Sequence, residues 1–148
     1  MAVNQDLVGR EFDKTTPYLV GREKVREFSR AVFASSPVNL SVEAARDAGY
    51  ADVVAPPTFA IVVQQLTLDQ LFAVDDAGIE LTHVVHGAQQ FSYSRPIVAG
   101  DELTAQLAVT SIKTLGANAM LTAETAIHDA AGEHVVTATS TLVVRGDA

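Results

Sequence analysis

The chain has no cysteine. That excludes a disulfide frame, thiol chemistry and any metal site built on thiolates. Basic charge is scarce as well: 10 Lys and Arg stand against 18 Asp and Glu, a formal net charge of −8. Sequence-independent nucleic-acid binding draws most of its affinity from basic side chains, so this balance argues against it. It equally disfavours an anionic membrane surface. No apolar run approaches the length of a membrane span. The opening "MAVNQDLVGREFDK" is polar and lacks the apolar stretch of a signal peptide. A cytoplasmic protein is expected.

What is present describes an ordinary globule. The 148 residues are 48% hydrophobic and 19% charged, which suits one domain over residues 1–148 that hides roughly 70% of its unfolded surface. Residues 11–20, "EFDKTTPYLV", read as an extended segment interrupted by Pro17, an edge or irregular strand. Arg22 to Phe33 has Val25, Phe28 and Val32 at helical spacing. Ser41 suits the N-cap of a short helix, "VEAARDA", that Gly49 closes. Pro56 and Pro57 then open a helix from Thr58 to about Ala73, whose apolar residues point in nearly every direction. Such a helix belongs in the middle of a fold.

After Gly78 the apolar period changes to two. "DELTAQLAVTSIKTL", "NAMLTAETAIHD" and "EHVVTATSTLVV" alternate around the turns "GAN" and "DAAGE", and "THVVHGAQQFSYSRPIVAGD" precedes them. The order predicts an α+β fold in which a curved antiparallel sheet wraps one long helix. The sheet covers one flank of that helix, so the other flank calls for a second chain.

The stretches "AVFASSPVNLSVEAARDAGYADVVAPPTF" and "VVHGAQQFSYSRPIVAGDELT" resemble the MaoC-like hotdog hydratases and dehydratases, over nearly the whole chain. Catalytic members carry a D-x-N-P-x-H loop whose Asp and His bracket a water or hydroxyl at the acyl β-carbon. Their reaction is reversible hydration of a 2-enoyl thioester to the (R)-3-hydroxyacyl thioester. The "APPTF" corner and "VGREKVREF" are more similar to the N-terminal or non-catalytic subunit branch, whose members pair with a catalytic hotdog partner in fatty-acid and mycolic-acid elongation.

Laid through Pro37, the motif puts Ala34 at the Asp, Ser36 at the Asn and Asn39 at the His. The resemblance also implies a backbone N–H donor near Pro56, which has none, and a helix serine at Ile61. Ala34, Asn39, Pro56 and Ile61 are thus degenerate catalytic positions, and no catalytic residue is assigned. General acid–base transfer contributes roughly 10²–10⁴-fold, and both of its agents are absent. Taken without the resemblance, "ASSPVN" is ordinary interhelical turn chemistry. Phe59, Val62, Val63 and Leu66 are core residues or an acyl-chain lining.

Arg22, Arg26 and Arg30 recur at i+4. They form either a solvated mixed-charge face, with Glu23 and Glu27 offsetting Arg26 and Arg30, or a docking stripe. The stripe's ligand would be a phosphopantetheine phosphate, coenzyme A or an acidic acyl carrier protein. His83 and His86, three apart on an extended run, face opposite sides, so no metal site is expected, and His86 is read as structural. His128 and His134 flank a turn and are expected in solvent. Asp101 is expected to organise its turn, and Asp69 is a distant acid candidate. No cofactor is implied.

Two function classes remain. One is an accessory subunit of an (R)-3-hydroxyacyl thioester dehydratase, acting on acyl-CoA or acyl carrier protein substrates beside a catalytic hotdog subunit. The other is a homodimeric acyl-thioester-binding or scaffold protein without activity. A thioesterase-like hotdog enzyme with a carboxylate elsewhere is a third idea.

Overall fold

The computed structural model describes residues 2–146. Four long strands, β2 (Val84–Tyr93), β3 (Glu102–Leu115), β4 (Asn118–His128) and β5 (His134–Val144), follow the two-residue β1 (Tyr18–Leu19). All pairings are antiparallel, and the sheet order is β1-β3-β4-β5-β2. The period-two pattern acts as anticipated. Leu103, Ala105, Leu107 and Val109 of β3 turn inward, with Val136, Ala138, Leu142 and Val144 of β5.

Of the helices, α1 spans Arg22–Ala31, α2 Pro37–Leu40, α3 Val42–Asp47 and α4 Ala60–Phe72. A 3₁₀ turn at Pro57–Phe59 leads into α4, which packs against β3, β4 and β5. Ala60, Val63, Gln64, Thr67, Leu68 and Leu71 of α4 are buried. Gln65, Leu66 and Asp69 remain exposed on the opposite flank. Central burial is therefore one-sided. Phe59, Val63, Ile97 and Leu103 centre one apolar cluster, and Leu7, Leu71, Leu107 and Leu121 centre a second. Phe28 ties α1 to the first by an edge-to-face contact with Phe59 at 5.3 Å between centroids.

The two sheet edges are treated differently. The N-terminal segment covers β3: the Thr15 N–H donates to Ala105 O at 2.9 Å, and Val8 bridges Val109. Among the described residues, strand β2 has no neighbour on its outer side. Its ten residues, "VVHGAQQFSY", include no Lys, Arg, Asp, Glu or Pro, the groups that normally guard a sheet edge.

Two helix ends share one geometry. At α3, Gly49 sits at φ 96°, the Gly49 N–H donates to Arg46 O and the Tyr50 N–H to Ala45 O. At α1 the same position is Phe33, at φ 59°, with the Phe33 N–H on Arg30 O and the Ala34 N–H on Ser29 O. A left-handed backbone costs a residue with a Cβ about 1–2 kcal/mol, which glycine avoids. The expected helix to Phe33 therefore stops at Ala31, and Phe33 is its terminator.

A bidentate ion pair holds α1 to the segment after α3. Arg22 Nε and Nη2 donate to Asp52 at 3.0 and 2.7 Å. The hydrogen bond from Arg22 holds the Asp52 carboxyl below its ordinary pKa, against the opposing effect of burial. The folded state thus binds fewer protons here than the unfolded chain. Its contribution is complete above the ordinary carboxylate range near ~4 and disappears as pH falls through the lowered value. Asp52→Asn is expected to cost about 0.5–1 kcal/mol at pH 7 in urea denaturation, and the difference from wild type should shrink towards zero as pH falls through the lowered value.

Candidate functional site

A cavity of about 410 Å³ lies where α2, the double-proline corner and the chain leaving β2 meet. Pro37 opens α2 at its first position, after Ser36 as N-cap, so the predicted polar loop is one helical turn. That turn buries Asn39, whose Nδ2 donates to Val54 O at 2.7 Å. The Val54 N–H donates to Val38 O at 2.9 Å, so α2 and the corner are tied twice. The corner is also fixed to the sheet side, through the Ala55 N–H on Ile97 O at 2.8 Å. Asn39, Ala55 and Pro57 all line the cavity.

Tyr93 and Arg95 line it from the end of β2. The Tyr93 hydroxyl donates to Pro57 O. Burial pushes its pKa up to about 12, against the downward pull of the Ala60 N–H, so it stays a neutral donor. Arg95 donates to Asp101 at 2.9 and 3.1 Å and to Asp129 at 3.2 Å. Asp101 also accepts the Val98 N–H at 2.9 Å, which is the turn-organising role expected of it. Two carboxylates therefore neutralise the guanidinium and weld it to the turns. Tyr93 and Arg95 are the titratable residues of the lining, and neither accepts a proton at neutral pH.

The degenerate positions divide. Asn39 reaches the lining, and Pro56 is buried between two lining residues. Ala34 is half-buried and spends its N–H on the end of α1, while Ile61 sits half-buried in the first turn of α4. Neither lines the cavity. Phe59 and Val63 are fully buried in the first core cluster. Val62 is partly buried against that cluster, and Leu66 lies on the open flank of α4.

The arginine stripe is largely committed to internal partners. Arg22 holds Asp52, and Arg26 pairs with Glu23 and donates to Leu40 O at 2.9 Å. Glu27 pairs with Lys24 rather than with Arg30, a correction to the expected i,i+3 offset. Arg30 alone among the three has no hydrogen bond or ion pair among the described residues.

A polar chain at the free edge was not legible in the sequence. The fully buried Gln64 donates to Ala138 O at 3.1 Å and accepts from Gln89 Nε2 at 2.9 Å. Gln89 Oε1 accepts from the Ser140 hydroxyl and from His86 Nε2 at 3.0 Å, so His86 carries its proton on Nε2. His86 is thus structural, as expected. His83 lies in a 3₁₀ turn, 3.5 Å from the Glu80 carboxylate. Among the described residues no group of three or more His, Asp or Glu is placed to hold a metal ion. His128 and His134 are half-buried and meet edge-to-face at 5.7 Å, with His134 bonded to Ser94 and Thr137, which corrects their placement in solvent. Among the described residues Asp69 holds only Gln65, at 3.0 Å on the open flank.

Residues 6–138 match the family model described as FAS1-like, dehydratase domain region. The chain belongs to that family. It is a MaoC-like hotdog protein of the dehydratase superfamily, with the five-stranded antiparallel sheet and central helix of that fold. It is 63% identical to a UPF0336 protein of Leifsonia xyli subsp. xyli, over 98% of this chain and 97% of that one. A chain of the HadBC (3R-hydroxyacyl-ACP dehydratase) complex from Mycobacterium tuberculosis superposes with a TM-score of 0.80 at 34% identity, covering 94% of this chain and 98% of that one. A MaoC-like dehydratase superposes with a TM-score of 0.83 at 36% identity, over 94% of this hotdog chain but 42% of the other.

Loss of the Tyr93 hydroxyl should be visible in an alkaline titration. One of the three tyrosines should ionise only near pH ~12, and Tyr93→Phe should remove that last absorbance step while lowering stability by about 0.5–1.5 kcal/mol.

Proposed function

We propose that this chain is the accessory subunit of an (R)-3-hydroxyacyl thioester dehydratase. The observation that carries this reading is the cavity lining, which offers Asn39, a Tyr93 hydroxyl already donated to Pro57 O and a neutralised Arg95, but no base to take a proton and no carboxyl or imidazole acid. Dehydration needs both: a base removes the C2 proton, an acid protonates the C3 hydroxyl, and water departs as the C2–C3 double bond forms. A catalytic hotdog partner supplies that pair. The unguarded β2 edge supports the assignment, because a partner strand would continue the sheet there and cover Leu66 and Val62 on the open flank of α4. Those side chains then line the acyl chain, with Phe59 and Val63 behind them. The similar chain in a dehydratase complex supports it too. So does the longer MaoC-like dehydratase, in which the match leaves more than half the length for further structure.

The thioester carrier is coenzyme A or an acyl carrier protein, and the pair acts in fatty-acid metabolism. Co-expression with a hotdog chain that retains D-x-N-P-x-H, followed by hydration assays on crotonyl and long-chain enoyl thioesters, tests the assignment. The isolated chain should turn over no faster than background, and adding the partner should create activity. Ala34→Asp with Asn39→His should restore little, because Pro56 still lacks an N–H and groups acting as a unit are not recovered singly. Turnover by the unmodified chain alone would overturn the accessory role, and binding without turnover in every pairing would favour a non-enzymatic carrier of acyl thioesters. On the edge itself, Gln90→Lys puts a guarding charge on an exposed position of β2 and should weaken association with the partner in light scattering while leaving the far-ultraviolet circular dichroism of the chain intact.

A further inference from the structure

Asn39 is a buried amide with unused capacity. It is 8% exposed, and its side chain makes one hydrogen bond among the described residues, from Nδ2 to Val54 O at 2.7 Å. A carbonyl oxygen only accepts, so this bond fixes which end of the amide is nitrogen and turns Oδ1 away from Val54. Neither Oδ1 nor the second N–H has a partner among the described residues. A buried amide left half-paired is unfavourable and calls for an explanation. Oδ1 is not sealed into packed protein, as Gln70 Oε1 is, and the space that Asn39 lines is the cavity of about 410 Å³.

The rest of the lining narrows what would complete it. Val54, Ala55, Pro57 and Pro96 make an apolar wall. The Tyr93 proton is spent on Pro57 O, and the Ser94 hydroxyl is engaged by His134 Nδ1 at 2.6 Å. Arg95 sets one cation against two anions, Asp101 and Asp129, so a further anion finds no free charge there. We infer that this cavity binds a small neutral carboxamide on a short hydrocarbon chain, with Asn39 as the residue that selects it. A carboxamide brings an N–H for Oδ1 and a carbonyl for the second N–H, which is the complement of what Asn39 has left. Its hydrocarbon covers Val54, Ala55 and the two prolines. A carboxylate of the same shape has no N–H for Oδ1 and is repelled by Asp101 and Asp129. A ketone supplies the carbonyl alone and leaves Oδ1 unpaired out of water. The inference rests on the reading of the cavity as a site without proton transfer, and goes beyond it in naming the ligand class.

Three probes of one shape test it. Pentanamide, pentanoate and butyl methyl ketone differ only in the amino, oxide or methyl group on the same carbonyl carbon. Each is titrated into the isotope-labelled full chain at neutral pH and followed by nuclear magnetic resonance. Pentanamide should bind at least about tenfold tighter than either of the others, equivalent to about 1.4 kcal/mol. It should shift the side-chain amide signals of Asn39 and the backbone signals of Ala55 and Ser94. Asn39→Leu should reduce pentanamide to the affinity of the ketone. Asn39 also holds Val54 O, so where that variant does not fold, the wild-type series decides alone. Pentanoate or the ketone binding as tightly as the amide overturns the inference, as does saturable binding of none of them. So do shifts that leave Asn39 unmoved, or a folded Asn39→Leu that still prefers the amide. The titration needs no turnover. Hydration by the paired chains without amide binding would remove this inference and leave the accessory role, and amide binding with no turnover in any pairing would do the reverse.

Discussion

Everything in the fold follows from burying one flank of α4. The helix carries Ala60, Val63, Leu68 and Leu71 on one side and presses them into β3, β4 and β5. Apolar area removed from water, at about 25 cal/mol per Å², is the dominant favourable term for such a layer. A single curved sheet reaches only one side of a cylinder. The price of that geometry is an open flank carrying Gln65, Leu66 and Asp69, next to the strand with no outer neighbour. Core, edge and cavity are three consequences of one packing choice.

The polar chain from Gln64 to His86 sharpens this picture. A buried amide needs its partners, and Gln64 finds them in Ala138 O and Gln89 rather than in water. The chain leads outward to His86 at the strand edge, whose Nε2 it holds on Gln89 Oε1 at 3.0 Å. The interior thereby dictates which atoms the edge offers. At the opposite end of β2, Arg95 with Asp101 and Asp129 does the corresponding job for the turns beside the cavity.

Much of this was legible in the sequence, and for identifiable reasons. Strand periodicity exposed β3, β4 and β5 because one face of each is buried and the other is not. Ser41 and Gly49 announced α3 because caps act locally. The MaoC-like words around Pro37 and Pro56 led to the cavity and to Asn39. What escaped was long-range. Nothing local joins Arg95 to Asp129, Gln64 to Gln89, or His134 to Ser94, since each pair meets only after the sheet has formed. The i,i+3 charge pattern misassigned Glu27 because two cations lie within its reach and spacing alone does not choose between them. Phe33 was read as the last residue of a helix, because a positive φ at a non-glycine position leaves no sequence signal.

The uncharged edge of β2 has a consequence for the cell that lies outside enzymology. The outward-facing half of the backbone donors and acceptors of a ten-residue strand, with Val85 among the exposed side chains, forms a template that an extended segment can join. A copy released without a companion strand is a hazard in proportion to its concentration and lifetime. An open edge of this kind makes self-association rise with concentration unless another strand closes it.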